Sequence, residues 1–229
     1  MQAHVAQALV QVLSAERLDA YRGQPINTIA DRQLFACYAW NMALSESLYP
    51  NLQLLEIAVR NTIHNAASQH FNSEFWFDQH AVLQHLHEKD AVVSAKYKLT
   101  KNHKPHDAGR VVAELNFGFW TSLLDSRYEQ ILWPRLLQTA FPHLPRRIRT
   151  RATLSRRFHR VRQLRNRVFH HEPIWHWHDL VQQHQHILEA LAWIDPTACK
   201  FAQCMDRFPQ VYQQGQQPFE QLIQQISKT

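Results

Sequence analysis

With 229 residues, 25 Lys+Arg against 19 Asp+Glu and a formal charge of +6 with histidines neutral, the chain can bury a real core without covalent staples and attracts polyanions. Only 4 glycines are present, which excludes a hairpin-rich β protein, and the abundance of Ala, Leu, Gln, Arg and Glu predicts an all-α fold, a single helical domain over residues 1–229. Three cysteines, Cys37, Cys199 and Cys204, lack ligand spacing, and no run approaches the roughly 20 apolar residues of a membrane span, so a cytoplasmic protein with no membrane contact is expected.

In chain order, Val5, Ala6, Leu9, Val10 and Leu13 predict an amphipathic helix from His4 to Leu13, interrupted by glutamines and unlike a secretory leader. Ser14 is the expected cap of a short second helix, closed by Gly23-Gln24-Pro25. Leu34, Cys37, Tyr38, Asn41, Leu44 and Leu48 recur at helical spacing between Ile29 and Leu48. Tyr49-Pro50 is expected to break that helix, and a second from Leu52 to Phe71 would fold back on it as an antiparallel hairpin.

Phe75, Trp76 and Phe77 predict an aromatic turn, Ala81–Lys98 a helix, and Lys101–His106 a basic loop. Asp107 caps the helix of Val111, Val112 and Leu115, which Asn116-Phe117-Gly118-Phe119-Trp120 interrupts before Leu123-Leu124. Pro134, Pro142 and Pro145 divide the next stretch. A long helix is expected from about Arg146 to His171, because Pro173 disfavours helical geometry at Glu172. Further helices should cover His178–Ile194, restart at Asp195-Pro196, and end in a weakly amphipathic tail over Gln213–Lys228.

No acidic residue lies between Glu129 and Glu172, while eleven arginines do. That asymmetry points to a polyanionic partner. In the predicted helix Phe158, Val161, Leu164 and Val168 form the core stripe, with Arg165 at its edge. A guanidinium there needs a partner, and either Glu172, seven residues on, or Glu56 could hold it. Arg162, Asn166 and His170 make a separate polar row. On an ideal helix Arg165 and His170 diverge by roughly 140°, so a working site requires a deformed helix end, a second helix or a second copy of the chain.

The segment from Leu164 to Ile174, Leu-Arg-Asn-Arg-Val-Phe-His-His-Glu-Pro-Ile, resembles the Arg-Asn-x-x-x-His signature of the HEPN ribonuclease superfamily in its Abi-like (abortive infection) version. Leu54–Asn61 and Glu114–Trp120 resemble Abi-like segments in the same order, so the likeness spans about residues 30–190, with 195–229 a C-terminal helical extension. The resemblance implies a helical bundle, usually a homodimer, whose facing motifs cut RNA without metal or cofactor. It implies His170 as general base or acid, Arg165 binding the phosphate, and Asn166 positioning backbone or histidine, with His171 and Glu172 in support. Restraint by an inhibitory partner protein or RNA is also implied.

Around this motif, Arg156, Arg157, Arg160, Arg162 and Arg167 are the expected RNA contacts, with Trp175 and Trp177 as stacking platforms. Phe117, Phe119 and Trp120 are expected to pack in the core or at a dimer interface rather than stack on bases. Glu56, Arg60 and His64 share a helix face, and Arg60-Asn61 followed by His64 is a shortened echo of the motif, read as supporting or as a structural ion pair. His170, His171, His176 and His178 lack the spacing of a metal pair. Two other functions fit the same residues: a non-catalytic RNA-binding protein using the Arg146–Arg167 helix, or a helical scaffold whose basic face meets an acidic protein.

Overall fold

The computed structural model describes residues 2–22 and 31–226. The expected closure at Gly23-Gln24-Pro25, the helix start at Ile29 and the end of the tail at Lys228 lie outside them. Among the described residues all regular structure is helical and none is strand: α1 (Ala3–Leu13), α2 (Ala15–Asp19), α3 (Asp31–Phe71), α4 (Leu86–Lys101), α5 (Ala108–Glu114), α6 (Phe117–Ser122), α7 (Trp133–Ala140), α8 (Arg151–Phe169), α9 (Leu180–Ile194), α10 (Pro196–Met205), α11 (Phe208–Gln214) and α12 (Gln217–Ile226). Short 3-10 turns cover Trp76–Asp78, Ser126–Tyr128 and Arg146–Ile148. No described helix is long and apolar enough to cross a membrane.

Local chemistry sets many of these boundaries. Ser14 Oγ accepts from the Arg17 amide at 3.3 Å, Asp107 from Arg110 at 2.9 Å and Asn116 from Phe119 at 2.9 Å, each satisfying an otherwise orphaned first-turn donor. Asp195 does the same for Thr197 and Ala198 at the start of α10. Thr150 accepts from the Thr153 amide at 3.1 Å, so α8 begins at Arg151 and not at Arg146.

The largest departure from expectation is α3, which runs through Pro50 as one helix of 41 residues where an antiparallel hairpin was predicted. Leu44, Leu48, Leu52, Leu55, Val59 and Ile63 are all buried, at a spacing that passes through the proline unbroken. An interior proline costs about 3 kcal/mol. Each buried leucine contributes about 1.5–3 kcal/mol, so the continuous stripe outweighs it.

The chain divides into two compact units: Met1–Pro50, Leu164–His184 and Met205–Thr229 form the first, Asn51–Gln163 and Gln185–Cys204 the second. In the first, Ala6, Leu18, Tyr21, Leu34, Phe35, Ala36, Cys37 and Ile223 form a core against which Leu9, Val10, Trp175 and Phe219 pack. His184 bonds Asp206 at 2.7 Å and stacks on Phe208, with ring centroids 4.5 Å apart. In the second, Phe117, Phe119 and Trp120 are buried as expected. There buried Glu88 accepts from Arg127 at 3.0 Å and from the Tyr128 hydroxyl at 2.9 Å, which satisfies its carboxylate.

Candidate active site at the end of helix α8

The first unit carries the motif. The His170 amide donates to Asn166 O at 2.8 Å, His171 to Val168 O at 3.3 Å, and Glu172 to Arg167 O at 2.8 Å, while His171 sits at φ 58°. These last two bonds around a left-handed residue form a Schellman cap, a position usually given to glycine. The helix therefore ends at Phe169, earlier than predicted, and the two following histidines belong to its cap.

The loop beyond is tied at several points. Arg17 Nη1 donates to His171 O at 3.2 Å. Asn41 Oδ1 accepts from the amides of Ile174 at 2.8 Å and Trp175 at 3.2 Å, while its Nδ2 donates to the Tyr21 hydroxyl at 3.0 Å. Arg167 donates to Pro173 O at 3.2 Å, approaches Glu172 at 3.6 Å, and lies over the Trp177 ring at 5.3 Å.

This corrects one expected pairing: the carboxylate of Glu172 faces Arg167, not Arg165. A seven-residue relation holds only along a continuing helix, and the left-handed turn at His171 swings Glu172 off that row. Arg165 is half-buried with its guanidinium 4.2 Å from the Phe169 ring centroid, and Phe169 in turn stacks on Tyr49 at 5.2 Å. The charge is held over an aromatic face by cation–π attraction.

Asn166 and His170 are exposed one turn apart, joined by a helical backbone bond. Because that turn is still helical, Arg165 and His170 remain roughly 140° apart about the axis. A single α8 end thus offers an exposed imidazole and amide on one row, and a fixed cation on another. An imidazole can take or give a proton near neutrality, and a guanidinium can bind a phosphate.

The remaining expected residues are dispersed. Trp175 is half-buried against the first unit's core, so it packs, and Trp177 is half-buried under Arg167. Partial burial, then the charges of Arg167 and His178, hold the His176 pKa below the ordinary histidine value. In the second unit, Arg60 Nε donates to Asn61 Oδ1 at 3.3 Å, and Glu56 is half-buried. His64 Nδ1 accepts from the Trp76 indole at 3.1 Å, and burial lowers its pKa, as a neutral ring requires.

Also in the second unit, Arg157 donates to Glu189 at 2.6 Å and His186 O at 3.3 Å, and lies 4.4 Å from the Trp193 ring. Arg162 bonds Thr121 Oγ1 at 3.2 Å and His159 Nδ1 at 3.1 Å. Arg156 and Arg160 are exposed and line a cleft of about 700 Å³ with Thr153, Ser155, His159 and Gln163. Among the described residues no three His, Cys, Asp or Glu side chains are grouped to hold a metal ion.

Sequence reasoning missed Arg17, Asn41 and Tyr49. Asn41 left a signal: a polar residue within the apolar stripe of α3, which the structure buries. Compared with family models, curated proteins and solved structures, the chain matches none.

Proposed function

We propose that the protein is a metal-independent endoribonuclease of the Abi-like HEPN type, acting in the cytoplasm as a homodimer in phage defence or toxin–antitoxin-like growth control. His170 takes the proton of an RNA 2′-hydroxyl, whose oxygen attacks the adjacent phosphorus. The P–O5′ bond breaks, leaving a 2′,3′-cyclic phosphate, and the 5′-oxygen leaves with a proton from the facing motif's histidine. Arg165 binds the phosphate and stabilises its developing charge, and Asn166 orients the backbone or the imidazole. An inhibitory protein or RNA holds the enzyme silent until stress.

The observation that carries this reading is the capped end of α8, which leaves His170 and Asn166 exposed while the Arg165 guanidinium lies against the Phe169 ring. The divergence of Arg165 and His170 supports a site completed by a second motif. The test is cleavage of total and transfer RNA in EDTA. Arg165→Ala and His170→Ala should each lose roughly 10²–10⁴-fold in rate, with circular dichroism unchanged. Equal cleavage by all three proteins, or a metal requirement, sinks the assignment. Exposed Arg156 and Arg160 favour a second reading, RNA binding without cleavage. It gives steeply salt-dependent affinity and no new RNA ends.

A further inference from the structure

Helix α4, in the second unit, carries apolar residues on two opposite faces. Val92, Ala95 and Leu99 are buried on one, together with Glu88, whose carboxylate is satisfied by Arg127 and Tyr128. On the other, Leu86, Val93 and Tyr97 are 76%, 64% and 68% exposed. At 100° per residue these three and Asp90 fall within an arc of roughly 60° opposite the buried row, and they run for roughly 17 Å along the helix. A single exposed apolar residue is ordinary, but a row at seven- and four-residue spacing is the pattern of a seam between helices.

Beside Val93 lies a cavity of about 250 Å³ walled by Phe77, Leu83, Val92 and Val93, with Lys89 and Lys96 in its lining. It is smaller than the roughly 300–1,000 Å³ of small-molecule sites, and it suits one large side chain, as the pockets that receive interface anchors do. Lys96 donates to Asp78 at 2.6 Å, which ties this wall to the turn at Trp76–Asp78. The charge around the stripe is uneven. Lys96 and Lys98 are paired with Asp78 and Glu114, whereas Lys89 on one flank and Lys101 on the other make no ion pair among the described residues. Asp90 is the one exposed acid of the helix.

We propose that the exposed face of α4 docks an amphipathic helix of another protein, apolar along one seam and rich in Glu and Asp at its edges. Its apolar side chains pack between Leu86, Val93 and Tyr97, one of them filling the cavity beside Val93, and its carboxylates meet Lys89 and Lys101. Asp90, a polar position within the seam, sets the register of the pair. A second copy of this chain is the poorer match, because it sets the same lysine excess against itself. This docking rests on α4 alone and holds whether or not the protein cuts RNA.

The test titrates the full-length chain into two monomeric synthetic helical peptides with the same leucine seam, one flanked by glutamate and one by lysine, and reads fluorescence anisotropy. The glutamate peptide should bind about tenfold tighter than the lysine peptide, with an affinity that weakens as salt rises, and hydrogen exchange should slow across α4 when it binds. Val93→Glu and Tyr97→Glu, both at exposed positions, should each weaken binding about tenfold with the melting temperature unchanged. Lys89→Glu combined with Lys101→Glu should reverse the preference between the peptides. Absent or equal binding of the two peptides, protection that falls outside α4, or binding that survives Val93→Glu overturns the proposal. So does self-association of the native chain that Tyr97→Glu dissolves, which assigns the face to a second copy.

Discussion

The two ends of α8 are both rich in arginine and use it differently. In the stretch belonging to the second unit, Arg151, Arg157 and Arg162 are committed to Leu124 O, to Glu189 with His186 O, and to Thr121, while Arg156 and Arg160 stay exposed. At the far end, Arg165 lies on Phe169 and Arg167 braces the Pro173 loop. One end presents charge; the other spends it on shape. A run of arginines therefore overstates the charge open to a polyanion. Five of the eleven are exposed: Arg135, Arg146, Arg147, Arg156 and Arg160.

The contrast breaks most severely at Asn41. Asn41→Ala strands the Ile174 and Trp175 amides, each worth about 1–3 kcal/mol when left unsatisfied. We expect urea unfolding to show a loss of about 3–5 kcal/mol together with lost cleavage. Arg157→Ala should cost about 1–3 kcal/mol by the same measurement, through the His186 carbonyl, the Trp193 ring and the half-exposed Glu189.

A smaller decline should accompany acidification. Burial holds His64 and His184 below the ordinary histidine pKa, in the latter against the opposing pull of Asp206. Below about pH 6.5 the unfolded chain therefore binds more protons than the folded one. Stability is complete above that value and falls as pH drops through it toward the folded-state values. Melting temperature against pH reads this. His64→Gln, whose amide accepts the Trp76 indole proton at any pH, should shallow the slope.

His171→Gly should instead gain about 1 kcal/mol by removing a side chain from the left-handed position. Unchanged cleavage in this variant would limit His171 to shaping the cap; lost cleavage would make its imidazole part of the chemistry. Smallest in stability are Arg156→Ala and Arg160→Ala, expected within about 0.5 kcal/mol of native. Each should lower the salt dependence of RNA affinity by about one unit of slope, whereas Arg157→Ala should leave the slope unchanged.

Local chemistry made much of the fold legible in the sequence. Ser14, Asp107 and Asp195 sit where helices start, because a short polar side chain before a helix has one dominant use, whereas Asn116, read as an interruption, caps α6. Pro50 misled for the converse reason: its penalty is local, and the leucine stripe that overrides it becomes decisive only when both flanks are buried. The motif end was legible as a string and illegible as geometry. Nothing in Val-Phe-His-His-Glu-Pro states that the second histidine adopts a left-handed conformation, and that single turn decides which arginine Glu172 meets. Nor does spacing reveal which guanidinium finds a distant carbonyl, as Arg17 does.

The first unit is assembled from stretches far apart in the chain: Arg17 meets His171 across 154 positions, Asn41 meets Ile174 across 133 and Trp40 meets Val211 across 171. The second unit draws most of its length from one uninterrupted stretch, Asn51–Gln163. Long-range closures form slowly, and a ribosome delivers roughly 5–20 residues per second, beginning with the N-terminus. During synthesis the second unit has nearly all of its chain in hand while the first still waits for its closing segments. The surface proposed to act on RNA is thus expected to close last, an order that pulse-labelled hydrogen exchange during refolding would reveal.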